Sequence, residues 1–287
     1  MSADGAAYDP RVALQFFKSS GTPQKVPAGK VIFAEKDKGG RLLHKPSTMY
    51  LLLTGEVQLL AGRKPISTVK AGEIFGELAA ITEAPRSASA VAKTDCRLIA
   101  LGERQFREAL RRKPAFALML MSLMIRRLRA TIAELEAAGE IDSAAKAAKE
   151  GAAFDPKHLA DLARGLSDDP PVYYERFQTI VESGQAGMRM YVVMEGRAVV
   201  KIGSRVVERL GPGGVFGEAA LVERVPRLAT VVAETECALL PITRKAFLAL
   251  VKMSPGFAEK MLGSLAQRVR YTSARAHATE PKEAIPS

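Results

Sequence analysis

The sequence predicts an α+β protein that is mainly β and consists of two tandem β-rolls of the jelly-roll type, each followed by two helices. Three observations predict this fold. The chain has 287 residues, which is long enough for two hydrophobic cores. Its second half repeats its first half, and each half changes from short strand-like segments to helical ones. A composition of 47% hydrophobic and 25% charged residues is that of a globular protein, so global disorder, a collagen-like chain and a pure coiled coil are not expected.

The repeat becomes visible when the chain is shifted against itself by 141 residues. Tyr50 then falls on Tyr191, and residues 50–129 align with residues 191–270 without a gap, with 22 identities in 80 positions. Many other pairs exchange one apolar residue for another. Such self-similarity indicates a duplicated domain.

The repeat sets the domain boundaries at 11–138 for copy one and 154–278 for copy two, with an Ala-rich linker at 139–153. The linker composition is consistent with either a helical extension or a flexible tether. Upstream of Tyr50, copy one carries seven more residues than copy two. We expect them to lengthen a basic hairpin loop.

Within each copy, short runs rich in Val, Ile and Leu alternate with turn residues, as in the antiparallel strands of a small roll. In copy one these runs are MYLLL, VQLLA, PISTV, SASAVA and CRLIAL. From Arg104 onward the period becomes helical. Pro114 and Pro255 suit the first position of the second helix in each copy, and Ser254 is a suitable N-cap.

The strongest match between the copies lies at residues 75–88 and 216–229, which read FGELAAITEAPRSA and FGEAALVERVPRLA. Each segment, here called a cassette, combines a glycine that permits close backbone approach, a glutamate beside it, the start of a short helix, and an arginine nine residues after the glutamate. The N–H groups at a helix start and the planar fork of arginine both bind phosphate oxygens. The segment therefore predicts an anion site with a carboxylate that accepts from a hydroxyl.

Both cassettes resemble the phosphate-binding cassette of cyclic nucleotide-binding domains, the family of the catabolite activator protein and the protein kinase A regulatory subunits. The resemblance implies that Glu77 accepts the ribose 2′-hydroxyl and that Arg86 pairs with the cyclic phosphate. It also implies that Ser87 and the backbone N–H of Ala88 complete the phosphate contacts. The alternative is that Arg86 pairs with a local carboxylate and the cassette is purely structural.

In copy two, Glu218 and Arg227 match the same family roles, but Leu228 stands where the family has a small or hydroxylic residue. A branched side chain at this position either excludes the ligand or removes one hydrogen bond, which contributes about 0.5 to 1.5 kcal/mol. The sequence leaves both readings open, as well as a structural role for the whole second cassette.

A second family feature lies 45 residues after each cassette arginine, at Thr131 and Thr272. In the catabolite activator protein, a Thr-Ser pair at this spacing contacts the adenine amino group across a dimer interface. Copy two keeps both residues as Thr272 and Ser273, whereas copy one has Ile132 after Thr131. The resemblance therefore implies a preference for adenine. The candidate ligand-binding residues are Phe75, Gly76, Glu77, Leu78, Ala79, Pro85, Arg86, Ser87, Ala88 and Thr131 in copy one, and Phe216, Gly217, Glu218, Ala219, Ala220, Pro226, Arg227, Leu228, Ala229, Thr272 and Ser273 in copy two.

The long helices also carry apolar or small residues at alternating spacings of three and four, the pattern of a coiled-coil seam. The stripe comprises Met121, Met124, Leu128, Thr131, Leu135 and Ala138 in copy one, and Leu262, Leu265, Val269, Thr272 and Ala276 in copy two. We expect the two helices to pair, either within one chain as a pseudo-dimer or across a homodimer.

Charge and composition narrow the partners further. A net charge of +11 favours anionic partners. Two cysteines cannot form a disulfide scaffold, three scattered histidines form no metal-ligand cluster, and no nucleophile–base pair or Walker motif indicates an enzyme. The N-terminus lacks a signal-peptide pattern and no apolar run could span a membrane, which predicts a cytoplasmic location.

About ten residues precede the first helix and about ten follow the last one, so we expect neither a DNA-reading domain nor a kinase-inhibitor segment. The predicted function is that of a receptor for a cyclic mononucleotide. The expected ligand is cAMP, and cGMP is the alternative mononucleotide. It would signal to a separate effector protein by rearranging its C-terminal helices. One alternative is a regulator that binds nucleic acid through the positive charge, although direct binding to nucleic acid is not expected. The other is a scaffold whose cassettes are vestigial or bind a cyclic dinucleotide.

Overall fold

The computed structural model describes residues 8–37, 47–137, 152–166 and 169–276. The elements of copy one are α1 (Pro10–Ser20), β1 (Thr22–Val26), β2 (Val31–Phe33), β3 (Thr48–Thr54), β4 (Val57–Ala61), β5 (Lys64–Val69), β6 (Ile74–Phe75), α2 (Glu77–Thr82), β7 (Ser89–Ala92), β8 (Cys96–Gly102), α3 (Glu103–Arg112) and α4 (Pro114–Ala137). Those of copy two are α5 (Pro156–Gly165), β9 (Val172–Tyr174), β10 (Thr179–Val181), β11 (Arg189–Glu195), β12 (Ala198–Ile202), β13 (Arg205–Leu210), β14 (Val215–Phe216), α6 (Glu218–Glu223), β15 (Thr230–Ala233), β16 (Cys237–Thr243), α7 (Arg244–Met253) and α8 (Pro255–Ala276).

Each copy contains two four-stranded antiparallel sheets with the same topology. Copy one has the strand orders β1-β8-β3-β6 and β2-β7-β4-β5, and copy two has β9-β16-β11-β14 and β10-β15-β12-β13. The strand at the start of each cassette, β6 or β14, has two residues and pairs with a seven-residue strand, with Tyr50 opposite Phe75 in copy one and Tyr191 opposite Phe216 in copy two. The predicted fold of two rolls with helices after them is confirmed.

The apolar runs of the sequence form the interior of each roll because alternate side chains along a strand point to one face. In copy one, Leu52, Val57, Phe75 and Leu98 form one buried cluster. The matched cluster of copy two contains Val193, Ala198, Phe216 and Leu239. Cys96 and Cys237 are both free and buried in these clusters, as small apolar residues are.

The second helix of each copy begins at the predicted proline, which lacks the N–H that the first turn cannot use. The hydroxyl of Ser254 accepts from the backbone N–H of Phe257 at 3.4 Å, so it caps α8. The predicted stripe on α4 and α8 is largely buried, including Met121, Met124 and Leu265. Whether α4 and α8 pair with each other stays a prediction.

The described residues form two compact units, and the boundaries between these units fall within α4 and α8 rather than between the two copies of the repeat. One unit contains residues Tyr8–Leu120 together with Ala266–Ala274, so it joins the roll of copy one to the last part of α8. The other contains Met121–Leu265, so it joins most of α4 to the roll of copy two. The domain boundaries proposed from the repeat, by contrast, assign each helix to its own roll.

Two sequence predictions lie wholly or mainly outside the described residues. The seven additional residues of copy one fall within or beside 38–46, and most of the Ala-rich linker lies within 138–151. In the described ranges, no helix has both the length and the hydropathy required to cross a membrane.

Candidate functional site

The first cassette is organised around the guanidinium of Arg86. Its Nη1 donates to the carbonyl oxygen of Gly76 at 2.7 Å, and its Nη2 donates to that of Thr48 at 2.7 Å. Gly76 has φ of 72°, and a Cβ there would lie 2.8 Å from Nη1 of Arg86. Glycine is therefore required twice at this position, for its backbone conformation and for the approach of the arginine.

Both charged groups of this cassette are removed from solvent, since Glu77 is 1% exposed and Arg86 is 9% exposed. Burial lowers the pKa of Arg86 from its usual value, and the nearby charges of Tyr50, Glu77 and Asp37 oppose this effect. The hydrogen bonds of the Arg86 side chain among the described residues go to carbonyl oxygens rather than to a carboxylate. A buried cation that is fixed by neutral acceptors would be stabilised by an anion from solution.

The second cassette repeats this geometry. Arg227 donates from Nη1 to the Gly217 carbonyl at 3.0 Å and from Nη2 to the Arg189 carbonyl at 2.6 Å. It is also 9% exposed, and burial lowers its pKa. Gly217 has φ of 85°, like its counterpart in copy one. The structure therefore brings together the predicted glycine, glutamate and arginine in both copies, with Glu218 buried beside Arg227.

Besides Thr48 and Arg189, two further residues that lie against the arginines were missed by the sequence analysis. Phe33 lies against Arg86, with 4.1 Å from the guanidinium carbon to the ring centroid, and it stacks with Phe75. Gly187 lies against Arg227, because a Cβ at Gly187 would be 2.5 Å from the guanidinium carbon. Both positions precede the ungapped part of the repeat, so the comparison of the copies gave no signal for them.

Phe33 distinguishes the two sites, because the position that matches it in copy two is Val181. We predict that Phe33→Val weakens nucleotide binding at the first cassette by about 2- to 30-fold, the range of a lost cation–π contact of about 0.5 to 2 kcal/mol. Calorimetric titration with cAMP would measure this change. Val31→Ala is the control, because Val31 is on the same strand and is exposed. Equal affinities for Phe33→Val and the control would contradict the prediction.

The last part of α8 contacts the first cassette within one compact unit. Arg270 donates from Nη1 to the carbonyl oxygen of Pro85 at 2.8 Å. Thr272 and Ser273 follow within one helical turn, and the Thr272 hydroxyl donates to the Arg268 carbonyl of its own helix at 2.8 Å. The helix segment from copy two thus brings polar side chains to the unit that holds the cassette of copy one.

The matching segment of α4 lies in the unit of the second cassette and contacts it through apolar side chains. Leu135 is buried with Ile202, and Ile132, Val207 and Ala229 pack against this pair. Ala229 is itself a cassette residue. Thr131, one residue before Ile132, is 9% exposed. The first cassette is therefore contacted by a polar side chain of its helix segment, and the second cassette by apolar side chains of its own.

The other predicted site residues lie on the same two segments. Leu78 and Ala79 are on α2, and Ala219 and Ala220 are on α6. Ser87 is exposed beside the buried Arg86, whereas Leu228 is half-buried beside Arg227. The remaining members are Phe75 and Phe216 at the ends of β6 and β14, Pro85 and Pro226 before the arginines, and Ala88 after Ser87.

Two antiparallel rolls, each with a buried arginine held at the start of a short helix, define a class of regulatory modules that bind a phosphate-containing ligand. The chain belongs to the cyclic nucleotide-binding domain family, which matches residues 23–113 and 171–254. Both matches include a cassette, and both end just before the second helix of their copy, so α4 and α8 lie outside them.

Two proteins with similar sequences support the same assignment. The chain is 30% identical over 223 residues to a cAMP-dependent protein kinase regulatory subunit of Eremothecium gossypii, covering 77% of this chain and 42% of that protein. It is 32% identical over 220 residues to a cyclic AMP receptor protein of Thermus thermophilus, covering 75% of this chain and 90% of that protein. A solved regulatory domain of protein kinase A from Toxoplasma gondii with cAMP is 23% identical, covers 85% of this chain and 92% of its own, and has a TM-score of 0.31.

Proposed function

We propose that this protein is a receptor for a cyclic mononucleotide, cAMP first, and that both cassettes bind the cyclic phosphate. The observation that carries the proposal is the buried guanidinium of Arg86 and of Arg227, each fixed by two carbonyl oxygens. Such a guanidinium is held in place, and because it has five N–H groups it keeps donors for phosphate oxygens after these two hydrogen bonds, so little ordering is needed on binding. The names of the relatives support the choice of cAMP.

The roles of individual residues follow the family resemblance. Glu77 and Glu218 would accept the ribose 2′-hydroxyl, and Ser87 with the N–H of Ala88 would complete the phosphate contacts of site one. Thr272 and Ser273 lie in the compact unit that contains site one, where their hydroxyl groups could contact the exocyclic amino group of adenine. Thr131 lies in the unit that contains site two.

The two sites are not chemically equivalent, and we expect site one to bind cAMP more tightly. Site one has Phe33 against its arginine, whereas site two has Leu228 beside the phosphate position and Ile132 on the adjacent helix. A polar group of the base left without a partner against an apolar side chain costs free energy, which lowers affinity.

The protein would act on a separate effector rather than catalyse a reaction. Its relatives are named as a regulatory subunit and a receptor. Nucleotide would shift an equilibrium between helix positions, and the shift cannot exceed the difference in its affinity for the two states. The effector would recognise the helices in one of these positions.

Calorimetric titration with cAMP, cGMP and a cyclic dinucleotide tests the proposal, with stoichiometry as the main readout. Two sites per chain for a mononucleotide would support function in both cassettes. One site per chain would restrict the proposal to one cassette, identified as the one whose arginine variant abolishes the remaining binding. No heat with any nucleotide, together with an unchanged melting temperature, would contradict the proposal and favour a protein-docking scaffold.

We predict that Leu228→Ser strengthens binding at site two. The half-buried leucine occupies the position of Ser87 in site one, and a hydroxyl there would add one hydrogen bond, about 0.5 to 1.5 kcal/mol or 2- to 13-fold in affinity. The measurement is a cAMP titration of the Arg86→Ala variant, with and without Leu228→Ser, so that binding at site one is weakened equally in both proteins and the difference between them comes from site two. An unchanged or weaker second site would show that Leu228 is not the limitation.

A further inference from the structure

The last residue of the cassette helix in copy two, Glu223 of α6, is bound by α4. Its Oε1 accepts from the hydroxyl of Ser122 at 2.6 Å and from Nε of Arg126 at 2.8 Å. The Glu223 side chain is 7% exposed, and Ser122 is completely buried. All three residues belong to the same compact unit. We call this set of three side chains the α4 clasp.

The clasp differs from an ordinary surface ion pair because its carboxylate is nearly buried, although the Arg126 side chain is 50% exposed. A nearly buried carboxylate would be unfavourable without donors, and the negative charge stands at the C-terminal end of a helix, where the helix dipole does not favour it. Two donors on successive turns of α4, one of them charged, offset these costs. The position of α6 is therefore tied to the position of α4.

A second contact joins the same helix to the other end of the cassette. Ile132 and Leu135 of α4 pack with Ala229, two residues after Arg227. Ser122 and Ile132 are ten residues apart, or about 15 Å along the helix. Thus α4 contacts the second cassette at two places, at the C-terminal end of α6 and just after Arg227.

Copy one lacks the residues that would form a matching clasp. The position that matches Glu223 is Thr82, whose hydroxyl donates to the Leu78 carbonyl of its own helix at 2.6 Å. The positions on α8 that match Ser122 and Arg126 are Gly263 and Gln267. The three residues of the clasp therefore all differ from their counterparts, and the clasp is specific to copy two among the described residues.

We propose that Glu223 is a positioning residue that couples nucleotide occupancy of site two to the position of α4. This inference rests on the proposed function of the second cassette. The helix α6 begins at Glu218, beside Gly217 and Arg227, and has only six residues. A shift at its ligand end therefore moves Glu223 as well, and the clasp transmits this movement to the helix that leads back to copy one. By linkage, the same coupling makes the position of α4 change the affinity of site two.

The experiment uses the full chain with Arg86→Ala, which weakens cAMP binding at site one equally in all variants, and compares Glu223 with Glu223→Gln. Amide hydrogen exchange of residues 121–137 is measured with and without cAMP, and calorimetry measures the affinity. With the clasp intact, we expect cAMP to change exchange in this segment by about tenfold, and by about twofold or less in Glu223→Gln. Arg129→Gln is the control, because Arg129 is exposed on the same helix, and it should respond like the protein with Glu223.

A thermodynamic cycle separates coupling from general loosening of the fold. Arg126→Gln should reduce the α4 response as much as Glu223→Gln, and the double variant no further, because both remove one interaction. If cAMP binds and α4 responds equally in all variants, the coupling is wrong while the proposed function stands. If cAMP produces no heat with Glu223 in place, the proposed function of site two fails, and the coupling fails with it.

Discussion

Replacing Arg86 by alanine is expected to weaken cAMP binding at site one by about 2 to 5 kcal/mol, which corresponds to about 30- to 4,000-fold. The guanidinium is 9% exposed and donates to the carbonyl oxygens of Gly76 and Thr48. Its removal would leave a buried phosphate charge without its cation. Two neutral acceptors and Glu77 would then surround an anionic ligand, so the site would repel what it is proposed to bind.

Calorimetry that resolves the two sites measures this effect, because site two is expected to keep its affinity. Arg86→Lys is the matched control, since lysine keeps the charge but loses the planar fork, and we expect an intermediate affinity. A melting curve is needed as well, because Arg86 also joins the cassette to the start of β3. Undiminished affinity at site one, with the second site unchanged, would refute the assignment of Arg86 to phosphate.

The cassettes could be predicted from the sequence because their chemistry is local. Gly76, Glu77 and Arg86 lie within eleven consecutive residues, and their spacing recurs in copy two. The strands were predictable for the same reason, since each apolar run is continuous along the chain. Phe33 was not predictable, because it reaches Arg86 from a strand that precedes the cassette by about forty residues and has no aromatic counterpart in copy two.

The location of the helices depends on packing between distant segments, which a repeat cannot show. The sequence indicated a buried stripe on α4 and α8, and both helices carry one. It did not indicate that residues 121–137 belong to the compact unit of the second roll or that Arg270 contacts Pro85. Residues that are repeated specify the same local structure in both copies. Only residues that differ between the copies, such as Glu223 and Ile132, distinguish the surroundings of the two sites.

The largest effect on stability is expected at Gly213, in the turn before β14. This glycine has φ of 81°, and an added Cβ would overlap the carbonyl oxygen of Phe154. The Gly213 carbonyl also accepts from the N–H groups of Ala153 at 2.9 Å and Phe154 at 3.1 Å. Phe154 is buried and stacks on Phe257 of α8, with ring centroids 5.6 Å apart. Any displacement of this turn therefore disturbs the packing of the segment before α5 on the helix that follows the roll.

We predict that Gly213→Ala lowers the free energy of unfolding of copy two by about 2 to 5 kcal/mol, of which about 1 to 2 arise from the left-handed backbone and the rest from overlap. Gly72 is the matched control, because it has the same repeat position and a φ of 91°, but its Cβ would meet only Pro10 at 3.7 Å. Gly72→Ala should therefore show the backbone cost of about 1 to 2 kcal/mol alone. Urea unfolding measures the free energy of unfolding of both variants. Equal losses of stability would contradict the prediction, because they would mean that the chain near Phe154 moves away from the added Cβ at no cost in free energy. A larger loss for Gly213 would show that copy two depends on a close backbone contact that copy one lacks at the matched glycine, although the two turns are specified by the same residue.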